Sequence, residues 1–250
     1  MGINEEQYEM IFKRKSFRRF NETLKLTNEE LCDINEKIKT LRPLIDNINV
    51  KYCIVRRGET TCKRGEYCLL IYSEEKANYL LNIGYMFEQL DLYLASKDIG
   101  VCWYGMGKTQ EAEYKNLKFV IMIALGKTEP REFRKDYTKC KRKETKEICK
   151  GVSGLKTIAE VVKYAPSACN TQPWRIICEE NKLKIYRTTD IKSIMPKEKV
   201  PFYNSIDIGI FIYFLEITLE YNNISYQRLL LNEENKSDLI LMAEYNLLYL

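Results

Sequence analysis

The chain contains no histidine in its 250 residues. That absence removes Ser-His-Asp and Cys-His nucleophile systems, and His-ligated metal sites with them. Any reaction run here proceeds without an imidazole base. A tightly bound organic cofactor meets that condition, because the cofactor carries the hard chemistry. Also missing is any C-x-x-C pair: the nine cysteines stand at 32, 53, 62, 68, 102, 140, 149, 169 and 178. Their number is odd, no secretory signal accompanies them, and most sit in apolar patterns such as KYCIV and RIIC, where a free thiol behaves as a small hydrophobe. They read as reduced, mostly structural residues of a cytoplasmic protein with no metal site. The chain has little uninterrupted hydrophobic sequence. Its most apolar run, Ile206 to Leu219, is broken by Asp207 and Glu216 and is shorter than the ~20 residues of a membrane-spanning helix. The start, MGINEEQYEM, is acidic and lacks the apolar core of a signal peptide. Nor does one sign of charge dominate: 40 basic and 35 acidic residues leave +5, too little to imply nucleic acid. A soluble protein without membrane or nucleic-acid partners is expected.

What is present is helix and strand pattern in two similar runs. Glu5 to Arg14 has helical spacing. Thr27 and Glu30 form a capping box ahead of the stripe Leu31, Ile34, Ile38 and Leu41. KYCIVRR and EYCLLIYS read as strands. A long helix is expected from about Glu74 to Lys97, with Gly100 as its C-cap, and KFVIMIALG is a strand. After a polar, basic stretch, Leu155, Ile158, Ala159 and Val162 mark a helix, RIICEENKLKIYR a hairpin, Ile206 to Tyr221 an apolar helix, and ISYQRLLL and DLILMAEY two strands.

A faint repeat links the runs. NIGYMFEQLDLYL from Asn82 aligns with DIGIFIYFLEITL from Asp207, a spacing of 125 residues (82 to 207), with Ile-Gly and an acid (Asp91, Glu216) recurring. Two buried helices sharing a 3.6-residue period would produce some of this likeness; a duplicated α+β unit is the sharper reading.

Four stretches invite chemistry. The triplets Gly107-Lys-Thr109 and Gly126-Lys-Thr128 suggest a phosphate loop, but the preceding glycine that motif needs is replaced by Cys102 and Ile121. In RKSFRRF, alternation along an extended backbone would point Arg14, Ser16 and Arg18 the same way, as a three-pronged grip on a phosphate. The bland alternative is a solvated basic patch. In YAPSACNTQPW (164–174), Pro166 and Pro173 stiffen a loop on which Ser167, Asn170 and Gln172 offer groups suited to the polar edge of a flat heterocycle. Its bland alternative is a loop anchored by a buried Trp.

Together, RKSFRRF, APSACNTQPW and GVCWYGM (100–106) resemble the signature segments of the FMN-dependent nitroreductase family. The resemblance implies an α+β, nitroreductase-like fold and FMN as cofactor, and family members are usually homodimers with FMN at the subunit interface. It implies a phosphate site of Arg14, Ser16 and Arg18 with Lys15 beside them, helped by Arg142 or its neighbours Lys141 and Lys143. It also implies contacts along the flavin ring from Pro166, Ser167, Ala168, Asn170 and Gln172. Backbone at Tyr104, Gly105 and Met106 would lie near flavin N5. No residue is assigned a catalytic role, and Cys169, with no histidine to activate it, is a packing residue beside the ring.

The order of segments departs from the family. Members usually carry APS-x-x-N-x-QPW soon after R-x-S-x-R, whereas the early place here holds TLRPLIDNINVKYCIV with no trace of it. Two similar half-domains forming a single-chain pseudo-dimer would account for this, with a first half at 1–130, a basic connecting arm at 131–153 and a second half at 154–250. The implied activity is hydride transfer from NAD(P)H through flavin to an electron-poor acceptor such as a nitroaromatic or quinone. The alternative is an FMN-binding protein without nicotinamide turnover: a carrier, sensor or specialised electron acceptor. Monomer and homodimer are both open. Nucleic-acid binding by residues 13–19 and 131–146 is disfavoured, because aromatic side chains do not interleave with the charges there as stacking requires.

Overall fold

A computed structural model describes residues 3–151, 155–234 and 238–248. The chain divides into two compact units, Phe12–Tyr137 and Thr138–Leu250 together with Met1–Ile11. The boundaries differ from those expected at 130 and 153, and side chains explain why. In helix α1 (Ile3–Lys13), the Tyr8 ring stacks on Tyr221 at 3.7 Å and 4°, and Tyr213 donates a hydrogen bond to Gln7. Both ties hold the N-terminal residues to the later unit. Residues up to Tyr137 stay with the earlier one: Arg134 N–H bonds the Lys13 carbonyl, and Phe133 packs edge-on against Phe17.

In the first unit, α2 (Asn28–Lys39) starts at the expected capping box. Thr27 Oγ1 accepts from the Glu30 amide at 3.1 Å, and Glu30 Oε2 accepts from the Thr27 amide at 2.9 Å. A loop leads to β1 (Val50–Arg56) and β2 (Tyr67–Ser73), then α3 (Tyr79–Ser96), β3 (Ile99–Tyr104), β4 (Glu113–Tyr114) and β5 (Leu117–Lys127). The sheet runs β1-β2-β5-β3, antiparallel throughout, with β4 beside β5. Helix α3 begins five residues later than expected and its C-cap is Lys97, not Gly100. Gly100 lies in β3, where a Cβ would press on the Phe17 ring at about 2.9 Å, so its glycine answers packing rather than helix termination.

The second unit adds α4 (Thr145–Ile148) and the three-residue strand β6 (Cys149–Gly151) within the stretch expected to be an irregular arm. It continues with α5 (Lys156–Val162), β7 (Trp174–Glu179), β8 (Lys182–Thr188), α6 (Val200–Tyr221), β9 (Ser225–Glu234) and β10 (Leu239–Leu248). Its sheet runs β6-β7-β8-β10-β9, antiparallel except for the parallel pair β6–β7. Helix α6 starts six residues before the expected Ile206 because Pro201 sits in the first turn, where its missing N–H costs nothing. It is long and apolar enough to cross a membrane by length and composition, yet it is almost wholly buried, as a core helix is.

The two units share one plan: helix, loop, two strands, helix, two strands. With β6 and β4 set aside, the orders β1-β2-β5-β3 and β7-β8-β10-β9 are the same. Detail follows topology. In the first, a β-bulge between Phe119 and Ile121 of β5 faces Ile71-Tyr72 of β2; in the second, a bulge between Leu241 and Ala243 of β10 faces Ile185-Tyr186 of β8. Bulges are built features that re-aim a strand, so a shared bulge opposite a shared Ile-Tyr pair is a stronger mark of duplication than helical period. The fold is α+β and internally repeated.

Candidate functional site

The first unit brings two of the three signature stretches side by side. Past α1 the chain runs along β3: Ser16 forms a parallel bridge with Val101, the Phe17 amide bonds the Val101 carbonyl at 2.9 Å, and Ser16 Oγ donates to Cys102 Sγ at 3.6 Å. RKSFRRF therefore lies against GVCWYGM. Beyond β3, Tyr104 is half-buried under the Arg64 guanidinium (5.4 Å to the ring centroid), the Gly107 amide closes a turn on the Tyr104 carbonyl, and Met106 is exposed.

The three-pronged grip expected of Arg14, Ser16 and Arg18 is not the arrangement found. Ser16 and Arg18 are exposed, but Arg14 is 2% exposed, its Nη2 lies 2.9 Å from Asp91 Oδ2 and its Nε 3.7 Å from Glu88 Oε1. Burial alone would lower the pKa of this guanidinium; Asp91 and Glu88 outweigh that and raise it. Asp91 also accepts from Trp103 Nε1 at 3.2 Å. The regular alternation fails because the chain leaves α1 at Lys13 and is extended only briefly, so Arg14 turns inward with Phe17. What remains for an anion on this surface is Ser16 and Arg18 with Lys15 and Arg19.

The second unit unites the other two elements. Arg142 donates to Asn170 Oδ1 at 2.9 Å and to the Tyr164 carbonyl at 3.2 Å. Asn170 Nδ2 reaches back to the Lys141 carbonyl at 3.1 Å, and the Lys143 amide bonds Gln172 Oε1 at 2.8 Å. The 141–143 segment is thus stitched onto YAPSACNTQPW. Within the loop, Ser167 Oγ accepts from the Gln172 amide at 3.0 Å and Gln172 Nε2 donates to the Asn170 carbonyl at 3.3 Å. Pro166, Ser167 and Ala168 are half-buried, Cys169 and Asn170 exposed, and Gln172 buried. Three of its residues hold left-handed backbone: Cys169 (φ 50), Asn170 (φ 56) and Gln172 (φ 49). For Cys and Gln that conformation is strained, and such strain gathers at ligand-gripping loops. Trp174, at its end, is fully buried and stacked on Phe211 at 5.0 Å and 17°.

Beneath the loop lies a residue to which the sequence reading gave no role at the site. Asp207 of α6 is 3% exposed. Its Oδ1 accepts from the Ala168 amide at 2.9 Å, and its Oδ2 has no hydrogen-bond partner among the described residues. Burial drives its pKa well above the usual carboxylate range, against the smaller opposing pull of the Ala168 N–H. Next to it Asn204 Oδ1 accepts from Thr171 Oγ1 at 3.1 Å. The available signal was polarity inside an otherwise apolar helix; the same signal marks Asp91 and Glu88 in α3.

Asn82 of α3 does for the first unit what Asp207 does for the second. Its Oδ1 accepts from the Leu44 and Ile45 amides at 2.8 and 3.0 Å. The loop it holds, RPLIDN (42–47), follows α2 and precedes β1 as APSACN (165–170) follows α5 and precedes β7. TLRPLIDNINV is thus the structural counterpart of YAPSACNTQPW, sharing its proline and asparagine but none of its left-handed residues.

These donors suit FMN. In the first unit, exposed Ser16 and Arg18 on an anchored stretch are donors of the kind a phosphate takes; in the second, taken by itself, the stiff 166–172 loop presents polar groups of the kind a flat heterocycle takes. A cavity of about 560 Å³ in the first unit is lined by Lys25, Arg56, Arg57, Glu66, Tyr67 and Lys127 among others and includes none of these residues.

A repeated α+β unit carrying these segments defines a class, the nitroreductase-like folds, and comparison with known proteins agrees. The chain belongs to the family described as "Putative TM nitroreductase", whose profile matches residues 6–219, and so to an oxidoreductase family. Among solved structures it is similar to a putative nitroreductase from Thermotoga maritima MSB8, at 20% identity and TM-score 0.63, covering 99% of this chain and 93% of that one. It is similar over shorter stretches to a nitroreductase family protein from Clostridium novyi NT (19% identity, TM-score 0.40, 52% of this chain and 88% of that one). A putative NADH oxidase from Clostridium acetobutylicum is matched likewise (16%, 0.41, 56% and 96%). No curated protein sequence matches the chain.

Proposed function

We propose that the chain is an FMN-dependent oxidoreductase that takes reducing equivalents from NAD(P)H and delivers them to a small electron-poor acceptor such as a nitroaromatic or quinone. The observation that supports this best is the lateral anchoring of RKSFRRF on GVCWYGM through Ser16, Phe17 and Val101. FMN, when bound, supplies the hydride-carrying chemistry, which is why a chain without histidine is sufficient. Ser16 and Arg18 hold the phosphate, and Lys141, Arg142 and Lys143 add charge. The loop from Pro166 to Gln172 would orient the ring, and backbone at Tyr104, Gly105 and Met106 would add contacts to it. Arg14 serves this surface from behind, by fixing α3 to the stretch that carries Ser16.

Titration of the cofactor-free protein with FMN, followed by quenching of flavin fluorescence, tests the reading. Saturable uptake is expected, weakened about tenfold or more by Arg18→Ala, as loss of one charge-assisted phosphate contact implies. Failure of the folded wild-type protein to take up FMN would overturn it.

A further inference from the structure

In the second unit, Cys149 Sγ and Cys178 Sγ lie 3.3 Å apart, on neighbouring parallel strands β6 and β7. Neither residue belongs to the flavin reading. We infer that Cys149 and Cys178 are a disulfide-forming pair, oxidised by thiol–disulfide exchange with a low-molecular-weight disulfide of the glutathione type.

Geometry carries this. Thiol sulfurs already in contact need to close by little more than 1 Å to reach the ~2.05 Å of a disulfide. The backbone around them is pinned for the approach: Cys149 pairs with Ile176 and Gly151 with Cys178, and Gly151 has φ 107 at a point where any Cβ would run into the Cys178 carbonyl. The two strands therefore come together at this point as closely as glycine allows. Access is available from one side. Strand β6 has only three residues and forms the edge of its sheet, so it opens locally at low cost. Cys149 is also the less buried of the two, 8% against 3%.

Exposure and charge assign the roles. The two sulfurs share one hydrogen bond, which either thiol can donate; that bond and the Lys156 charge favour the thiolate at Cys149, the less buried of the two, over the cost of burial. Cys149 is the attacking thiolate. It displaces one thiolate from the small disulfide to form a mixed disulfide, and Cys178 then attacks the Cys149 sulfur and releases the second small thiol. Two electrons pass from the two cysteines to the small disulfide, and the two protons leave with the two thiols released.

The bridge would close a loop of about thirty residues that contains α5 and the whole of YAPSACNTQPW, and would fasten the end of the 141–151 segment to β7. Oxidation would then stabilise the second unit and leave the first unaltered.

Full-length protein is equilibrated with glutathione couples of increasing oxidation, quenched with an alkylating agent and digested with trypsin. The expected product joins the peptides EICK (147–150) and IICEENK (176–182), with two of the nine cysteines lost to alkylation. Reduction should return them, and the oxidised protein should melt several degrees higher. Cys149→Ser should abolish the linked peptide; because the wild-type map stands alone, poor folding of that variant leaves the test intact. Full alkylation of both residues at every ratio, a stable glutathione adduct on Cys149 that never resolves, or linkage confined to other cysteines would overturn the inference. None of these readouts depends on flavin.

Discussion

Each unit builds the same support for a different load. In both, a buried acid on the long helix is gripped by the following strand at one spacing of 125 residues: Trp103 on β3 donates to Asp91, and Arg228 on β9 pairs with Glu216. In both, a polar side chain nine residues earlier on that helix holds the loop before the first strand, through Asn82 in one and Asp207 in the other. The difference lies in what the scaffold carries. The first unit's loop is relaxed, and its acid is committed to Arg14, which fixes the stretch bearing Ser16 and Arg18. The second unit's loop is left-handed at three residues, two of them strained, and is bound to the 141–143 segment, and its acid takes Tyr245 as second donor at 2.8 Å. The two units share one strand order and differ in what is attached to it.

Breaking the two acid grips should give the largest contrast. Arg14→Ala strands Asp91 and Glu88 in the core and should cost about 3–5 kcal/mol in urea unfolding. Arg228→Ala should cost less, about 1–2 kcal/mol, because Arg228 is a quarter exposed and water and Tyr245 remain to Glu216. Equal losses would contradict the view that only the first grip is a sealed one.

The loop holders differ in titration. Asp207 has its folded pKa raised, so the stability it contributes is fully present below about pH 4 and is lost as pH rises toward the folded value. Burial raises it and the Ala168 amide opposes, and no charged group among the described residues offsets the effect. Wild-type stability should therefore fall by up to ~1.4 kcal/mol per pH unit above pH 4 from this residue, and Asp207→Asn should flatten that slope, making the second unit's holder resemble Asn82. An unchanged slope in unfolding measured from pH 4 to 8 would show that Asp207 ionises freely.

The smallest stability effect is expected at Arg18. Arg18→Ala, on the surface, should change stability by no more than ~0.5 kcal/mol while weakening FMN uptake, the reverse of Arg14→Ala, whose main effect is on folding. If Arg18→Ala unfolds the protein and leaves uptake intact, the division between Arg14 as support and Arg18 as ligand is mistaken.

How much of this the sequence disclosed depends on the kind of signal. The capping box at Thr27, the hairpin from Arg175 and the Ile-Gly repeat were legible because they are local or keep an unbroken spacing. The inward turn of Arg14 was not, since alternation assumes an extended chain and RKSFRRF is extended only where Ser16 meets Val101. Nor was the kinship of RPLIDN with APSACN, which share two residues and are matched by the amide-holding side chains beneath them. The assignment of residues 1–11 to the later unit rests on Tyr8 and Gln7 meeting Tyr221 and Tyr213, more than two hundred residues away in sequence. Asn82, Asp91, Asp207 and Glu216, polar residues inside apolar helices, were visible from the start, and each holds a neighbouring segment in place.

The most direct test of the central claim is anaerobic mixing of the FMN-loaded protein with NADH or NADPH while the flavin absorbance is followed. The account predicts bleaching by at least one of the two and recovery of the oxidised spectrum when a quinone or nitroaromatic is added. A loaded protein that stays oxidised at millimolar concentrations of both reductants would contradict it and would mark the chain as a flavin-binding protein without nicotinamide turnover.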